Sequence, residues 1–233
     1  IGQVVKAILL HAEARHPSDS DATGKLREPV LRLAHLMRAL PHSSDTYLAQ
    51  AASSRLPYYP ISETDDPGGS LGQTPMRAPS VFNFFRPGYL PAQTQLGNQG
   101  LVSPEMQITT ETSMAGYANF MRDVIWAGIA EHVAQPRAGM HPADVKLEFQ
   151  ANDQSPTLAL ANQPGELATM IDRRLMYGTM SPLLRQEIIR TMDSIDYRTP
   201  GAPTPEQALV TARHRVWSAL LLAVVSTDFL IQH

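Results

Sequence analysis

The stretch 204–225 reads TPEQALVTARHRVWSALLLAVV and indicates one long helix. Thr204 and Gln207 match a capping box, and Pro205 takes the first helical position, where a missing N–H removes no helical hydrogen bond. The apolar run Val216–Val225 is only about half as long as a membrane span. We therefore expect a buried core helix here and no transmembrane segment.

Helix signals continue upstream of this stretch. Apolar spacing predicts a helix over roughly the first dozen residues, a second from Thr23 to Pro41, and a short third over 45–53. The chain opens with Ile1 rather than Met, which favours a processed product or a fragment of a longer precursor.

Downstream, Ser-Pro-Glu at 103–105 is a helix start, and the helix either runs on or restarts near Thr110. Two more helices precede residue 204, one ended by Gly178 and one opened by Ser-Pro at 181–182. Only 145–149 alternates like a strand. The pattern predicts a mainly α fold, a multi-helix globular domain with little or no β structure.

The segment 55–102 differs from the rest because it holds seven prolines and six glycines and shows little periodicity. It is also rich in aromatic residues, which are scarce in disordered linkers. We expect an ordered loop wrapped over the helices and held by its rings, with a short helix near Val81–Phe85 and a mobile acidic tip at Glu63–Gly69. The chain then forms a single helical domain over 1–233, with helices over 1–54 and 103–233.

Composition excludes several classes of function. The 233 residues carry 19 Lys and Arg against 22 Asp and Glu, so nothing favours a nucleic-acid partner. The absence of cysteine excludes thiolate chemistry within this chain, although it does not fix the compartment. Eight histidines show no metal-binding spacing, and no common catalytic or nucleotide-binding motif is present. We predict no metal site, and no cofactor is indicated.

Two groups of residues are candidates for a site. Lys25, Arg27 and Glu28 begin the predicted second helix, where two cations oppose the helix dipole. An internal salt bridge is the favoured compensation, and a bound anionic ligand is the alternative.

The second group lies in the loop. Arginines among aromatic rings suit stacking and contacts with anions, although a loop that only covers the core and satisfies buried carbonyls is the favoured interpretation. The residues are Arg77, Phe82, Asn83, Phe85, Arg86 and Tyr89.

Four segments in order carry a resemblance to a known family: 24–29 (GKLREP), 71–89, 101–107 and 224–230. Together they resemble a large bacterial family, domain of unknown function 1800. The resemblance implies that this chain is the C-terminal part of a longer precursor. It also implies export, and so a periplasmic or extracellular location, but it carries no activity.

Two functions remain open. The first is a non-catalytic binding or assembly module whose aromatic and arginine loop surface contacts its own N-terminal half or another protein subunit. Its ring anchors are Tyr58, Tyr59, Phe82, Phe85 and Tyr89.

The alternative is the C-terminal half of an exported enzyme, oxidative or hydrolytic, whose pocket a missing N-terminal half completes. The polar groups predicted to line that pocket are Lys25, Arg27, His35, Arg77, Asn83, Arg86 and Glu105. A partial enzyme of this kind should expose a large apolar face.

Overall fold

The computed structural model describes residues 1–15, 24–53, 56–59, 61, 64–129, 145–196 and 203–232. These residues are mainly helical, as the sequence predicts. The helices are α1 (Gly2–Leu9), α2 (Ala12–Arg15), α3 (Pro29–Ala39), α4 (Asp45–Ala52), α5 (Gln95–Asn98), α6 (Glu111–Ala127), α7 (Glu148–Ala151), α8 (Pro156–Ala159), α9 (Pro164–Ile171), α10 (Pro182–Ser194), α11 (Pro205–Val225) and α12 (Thr227–Leu230). A 3-10 helix covers Pro104–Ile108, and a π-helical turn covers Asp172–Met176.

Helix α11 is the centre of the core. It packs against α6, α9 and α10, and Thr204 and Gln207 cap it reciprocally, as predicted. Val216, Leu220 and Ala223 lie on one face and are fully buried. By length and apolar composition alone α11 could also cross a membrane, a test that a core helix passes equally.

Helix α6 restarts after the 3-10 turn instead of running on from it. The hydroxyl of Thr110 accepts a hydrogen bond from the backbone N–H of Ser113, and the hydroxyl of Ser113 accepts one from the backbone N–H of Thr110. This reciprocal cap fixes the start of α6 and separates it from Pro104–Ile108.

Helix α3 begins later than the sequence pattern predicts. Glu28 is extended, with φ −59° and ψ 140°, because the ring of Pro29 disfavours a helical residue before it. Lys25 and Arg27 therefore precede the helix and are not in its first turn, and Leu26 belongs to a strand. Thr23, where the sequence pattern places the start of this helix, lies outside the described residues.

Two short antiparallel ribbons connect distant parts of the chain. Strand β1 (Lys25–Leu26) pairs with β4 (Ile231–Gln232), and β2 (His42–Ser44) pairs with β3 (Val145–Leu147). The strand predicted at 145–149 is thus confirmed over its first part. The first ribbon ties the approach to α3 to the residues that follow α12.

Hydrogen bonds and one core side chain, Leu71, which is 1% exposed, hold the proline-rich segment. The hydroxyl of Thr64 donates to the carbonyl of Gln73 at 2.7 Å, and the backbone N–H of Thr64 donates to the hydroxyl of Thr74 at 2.7 Å. At Gly116 of α6 an added Cβ would lie 2.2 Å from the carbonyl oxygen of Pro67. The described part of the predicted mobile tip therefore packs directly on α6.

The predicted helix at Val81–Phe85 is wrong. Asn83 adopts a left-handed conformation, with φ 68°, and the segment forms turns. The expected pinning by rings holds only in part. Tyr59 stacks on Tyr47 with 4.5 Å between ring centroids, whereas Phe82 is 66% exposed.

Candidate functional site

Three parts of the fold enclose a cleft of about 330 Å³ on one side of α3. The first is the exposed face of α3, the second is the π-helical turn after α9, and the third is the β1–β4 ribbon. Its lining residues are Arg27, Leu31, His35, Arg38, Ala39, Arg174, Tyr177 and Gln232. We call it the cationic cleft because three of its eight residues are arginines.

Arg27 forms the floor of the cationic cleft and is only 7% exposed. Its guanidinium lies 4.7 Å from the centre of the Phe229 ring, and one of its N–H groups lies 2.9 Å from Nδ1 of His35. Burial lowers the pKa of Arg27 below its usual value. A buried guanidinium held by a ring and an imidazole is prepared for a charged partner.

His35 is held in one tautomer by its two neighbours. Because a guanidinium can only donate, Nδ1 of His35 accepts from Arg27. Nε2 therefore carries the hydrogen and donates to the backbone carbonyl of Arg174 at 3.2 Å. Burial lowers the pKa of His35, which agrees with a neutral ring. With both ring nitrogens in use, His35 orients Arg27.

Two exposed arginines form the rim. Arg38 lies one turn beyond His35 on α3. Arg174 lies in the π-helical turn, a form of backbone common at functional sites, and donates to the carbonyl of Ala39 at 3.2 Å. The turn ends at Tyr177, which is left-handed, with φ 56°, and its exposed side chain lines the cleft.

No carboxylate of the described residues pairs with the three cleft arginines. Asp172, which lies in the same π-helical turn as Arg174, binds Arg185 at 2.9 Å instead. Glu28, next to Arg27, accepts from the side chain of Gln73 at 2.6 Å. Among the described residues no carboxylate forms the internal salt bridge favoured for Arg27 from the sequence, so that pairing stays a prediction.

Another arginine, Arg32, lies beneath the cleft and is not among the residues predicted from the sequence. Arg32 is buried, its Nε donates to the carbonyl of Arg27 at 2.7 Å, and its guanidinium lies over the ring of Tyr117. The Tyr117 hydroxyl donates to the carbonyl of Val224, and burial raises its pKa. Arg32 thus ties the backbone of Arg27 to α6 and α11. The sequence signal that could have identified Arg32 is a charged residue on the apolar side of α3, one turn before Leu36.

Of the predicted site residues, only Arg27 and His35 line the cationic cleft. Lys25 is exposed on β1, opposite Gln232. Glu105 is buried in the 3-10 helix, which packs near β1. Neither lines the cationic cleft.

The predicted loop residues lie elsewhere. Arg77 pairs with Asp65 at 3.1 Å, and Arg86 lies 5.9 Å from the centre of the Phe82 ring. Asn83 shapes a turn, and Phe85 and Tyr89 are half-buried. Their roles as a binding surface stay predictions.

No group of three or more histidine, aspartate or glutamate side chains with metal-binding geometry occurs within the described ranges. A family model with the description "Protein of unknown function (DUF1800)" matches residues 1–231. No curated protein and no solved structure matches the chain.

Proposed function

The chain belongs to the DUF1800 family, and from its cationic cleft we propose that it is a binding module that captures an anionic group. One observation carries the proposal. Arg27, Arg38 and Arg174 converge on one cleft, and within the described ranges no carboxylate neutralises them. The chain as a whole has a net charge of −3, so the cleft is a local exception.

The chemistry of the cleft suits a carboxylate, phosphate or sulfate. Guanidinium groups bind these oxyanions through two parallel hydrogen bonds and are weakly hydrated. Arg27 is already desolvated and oriented by His35, so little side-chain freedom is lost when an anion arrives. The anion would also relieve repulsion among the three cations.

Titration calorimetry with sodium sulfate and sodium phosphate, at constant ionic strength set with chloride, tests the proposal. We expect Arg38→Gln and Arg174→Gln to weaken oxyanion binding by about 10- to 100-fold, the value of one charge-assisted hydrogen bond. Arg173→Gln is the matched control, because Arg173 is an exposed neighbour in the same turn that does not line the cleft. Equal weakening by Arg173→Gln would contradict the proposal.

A second candidate function is assembly with another polypeptide, and α1 favours it. This helix has no buried residue, and Val4, Val5, Ile8 and Leu9 form an exposed apolar face. The precursor's own N-terminal half is the partner that we propose for this face. We expect slower amide hydrogen exchange in α1 of the whole precursor than in residues 1–233 alone, with α10 as the internal control. Equal exchange rates would argue against this partner.

We also make one further proposal, which rests on the family resemblance. The protein is exported to the periplasm or beyond, which fractionation of cells expressing the whole precursor tests. The alternative in which this chain is half of an exported enzyme also predicts an exposed apolar face such as that of α1. It draws no support from His35, because both ring nitrogens of His35 are bound within the fold.

A further inference from the structure

Helix α3 also lines a second pocket, which lies next to the cationic cleft and whose wall includes the core residues Leu33 and Met37. Val30, Leu33, Ala34 and Met37 recur at helical spacing and line a pocket of about 570 Å³. Its other wall comes from the loop and the β2 strand, through Tyr59, Ile61, Thr64, Thr74, Pro75 and His42. The volume is within the range of small-molecule sites.

This apolar pocket is formed before any ligand arrives. Thr64 and Thr74, on its loop wall, are hydrogen-bonded to each other at 2.8 Å. Tyr59 is fixed between the ring of Tyr47, at 4.5 Å, and the ring of His42, at 4.9 Å. Walls held in this way reduce the ordering cost of binding.

Arg38 lines both the apolar pocket and the cationic cleft. Its side chain is exposed, and no carboxylate of the described residues pairs with it. An apolar cavity with one unpaired cation at its rim is complementary to an apolar molecule that ends in an anion.

We propose that the apolar pocket binds the hydrocarbon part of a small carboxylic acid, with the carboxylate at Arg38. The proposal rests on the anion-binding function, because it uses Arg38 as one of the cleft cations. It adds the class of ligand: an aliphatic acid of a few to about ten carbon atoms, a size that a pocket of this volume can enclose.

Calorimetry with acetate, butanoate, hexanoate and octanoate tests the class of ligand. We expect each added methylene to tighten binding by about fourfold, because each is transferred from water to an apolar site. Hexan-1-ol should bind at least about tenfold more weakly than hexanoate, since it lacks the charge that Arg38 binds. Affinity independent of chain length, or equal affinity for the alcohol, would overturn the proposal.

Ala34→Phe fills the apolar pocket and should abolish the dependence on chain length. Ala118→Phe is the control, because Ala118 is also half-buried on a helix but does not line the pocket. If the larger ring prevents folding, as circular dichroism would show, Ala34→Leu gives the same test with a smaller loss. An unchanged dependence in the Ala34 variants would overturn the proposal.

Sulfate distinguishes the two proposals, because it has no apolar part. Sulfate binding that survives Ala34→Phe, together with lost octanoate binding, supports both proposals. Sulfate binding that is insensitive to Arg174→Gln overturns the proposal that the cationic cleft binds anions. Octanoate binding that is insensitive to both Ala34→Phe and Arg38→Gln overturns the proposal that the apolar pocket binds an aliphatic acid.

Discussion

The helical body around α11 and the described part of the proline-rich segment 55–102 are both ordered, but the interactions that hold them differ. In the body, side chains at helical spacing bury apolar surface, as Leu220 and Phe120 do. In the segment, side chains bind backbone atoms of the loop itself, and the chain passes close to α6 at Gly116. The body therefore depends on packed apolar side chains, whereas the segment adds loop hydrogen bonds and a close approach at Gly116 to the packing of Leu71.

The largest effect on the free energy of unfolding is expected from a cavity in the helical body. Leu220→Ala should lower the free energy of unfolding by about 2–5 kcal/mol, measured by urea denaturation, because the fully buried site loses contacts that its neighbours cannot replace. Leu183→Ala on α10 is the control. Leu183 is 77% exposed, and its loss should change stability by no more than about 0.5 kcal/mol.

A smaller and local effect is expected from Gly116→Ala. The new methyl group would collide with the carbonyl of Pro67, so the loop must move away, at a cost of about 1–3 kcal/mol. The amides of Ser70 and Gly72, which donate to the carbonyl of Asp66, should then exchange faster with deuterium. Unchanged exchange at both amides would show that Gly116 does not hold the segment.

Gly165→Ala is the matched control for that variant. Gly165 lies in α9, and an added Cβ there meets nothing within 4 Å. This substitution should leave the exchange of both loop amides unchanged and stabilise the protein by up to about 1 kcal/mol, the difference in helix propensity.

The smallest effect concerns pH. Burial lowers the pKa of His35 in the folded protein below its value of about 6.5 in the unfolded chain. The unfolded state then binds more protons, so stability is complete above about pH 6.5 and falls as the pH decreases toward the folded pKa. His35→Gln should reduce the pH dependence of thermal stability between about pH 7 and pH 5.5.

His214 is the second histidine with a lowered pKa, and its variant is compared with the His35 variant. Burial also lowers its pKa, so His214→Gln should remove a separate part of the same slope. Only the His35 variant should also change oxyanion binding, because only His35 lines the cationic cleft. A pH slope that neither variant alters would contradict the assignment to these two residues.

Local signals predicted most of the helical body correctly. The capping box of Thr204 and Gln207 and the Ser-Pro start at 181–182 act over three or four residues, so the sequence displays them directly. Gly178 follows the left-handed Tyr177 with its own φ of 85°, as a helix-ending glycine should. The start of α3 was misjudged because the restriction before Pro29 outweighs the apolar spacing of Leu26.

The cationic cleft and the loop could be predicted only in part. Arg27 and His35 were recognised as candidates, but Arg174 contacts His35 across 139 positions of sequence. No local sequence pattern predicts this contact or the π-helical turn that positions Arg174. In the loop, the hydrogen bonds of Thr64 depend on the fold of residues nine or ten positions later, which periodicity cannot report.

The pairing of β1 with β4 has a consequence for protein synthesis. Arg27 emerges from the ribosome roughly two hundred residues before Phe229, on which it stacks, and before Gln232, which lines the cleft. Helix α3 is therefore synthesised long before the cationic cleft can be complete. The cationic cleft can form only after Phe229 and Gln232 have been made, so a translation product truncated before Phe229 would lack both the ring beneath Arg27 and the β4 wall.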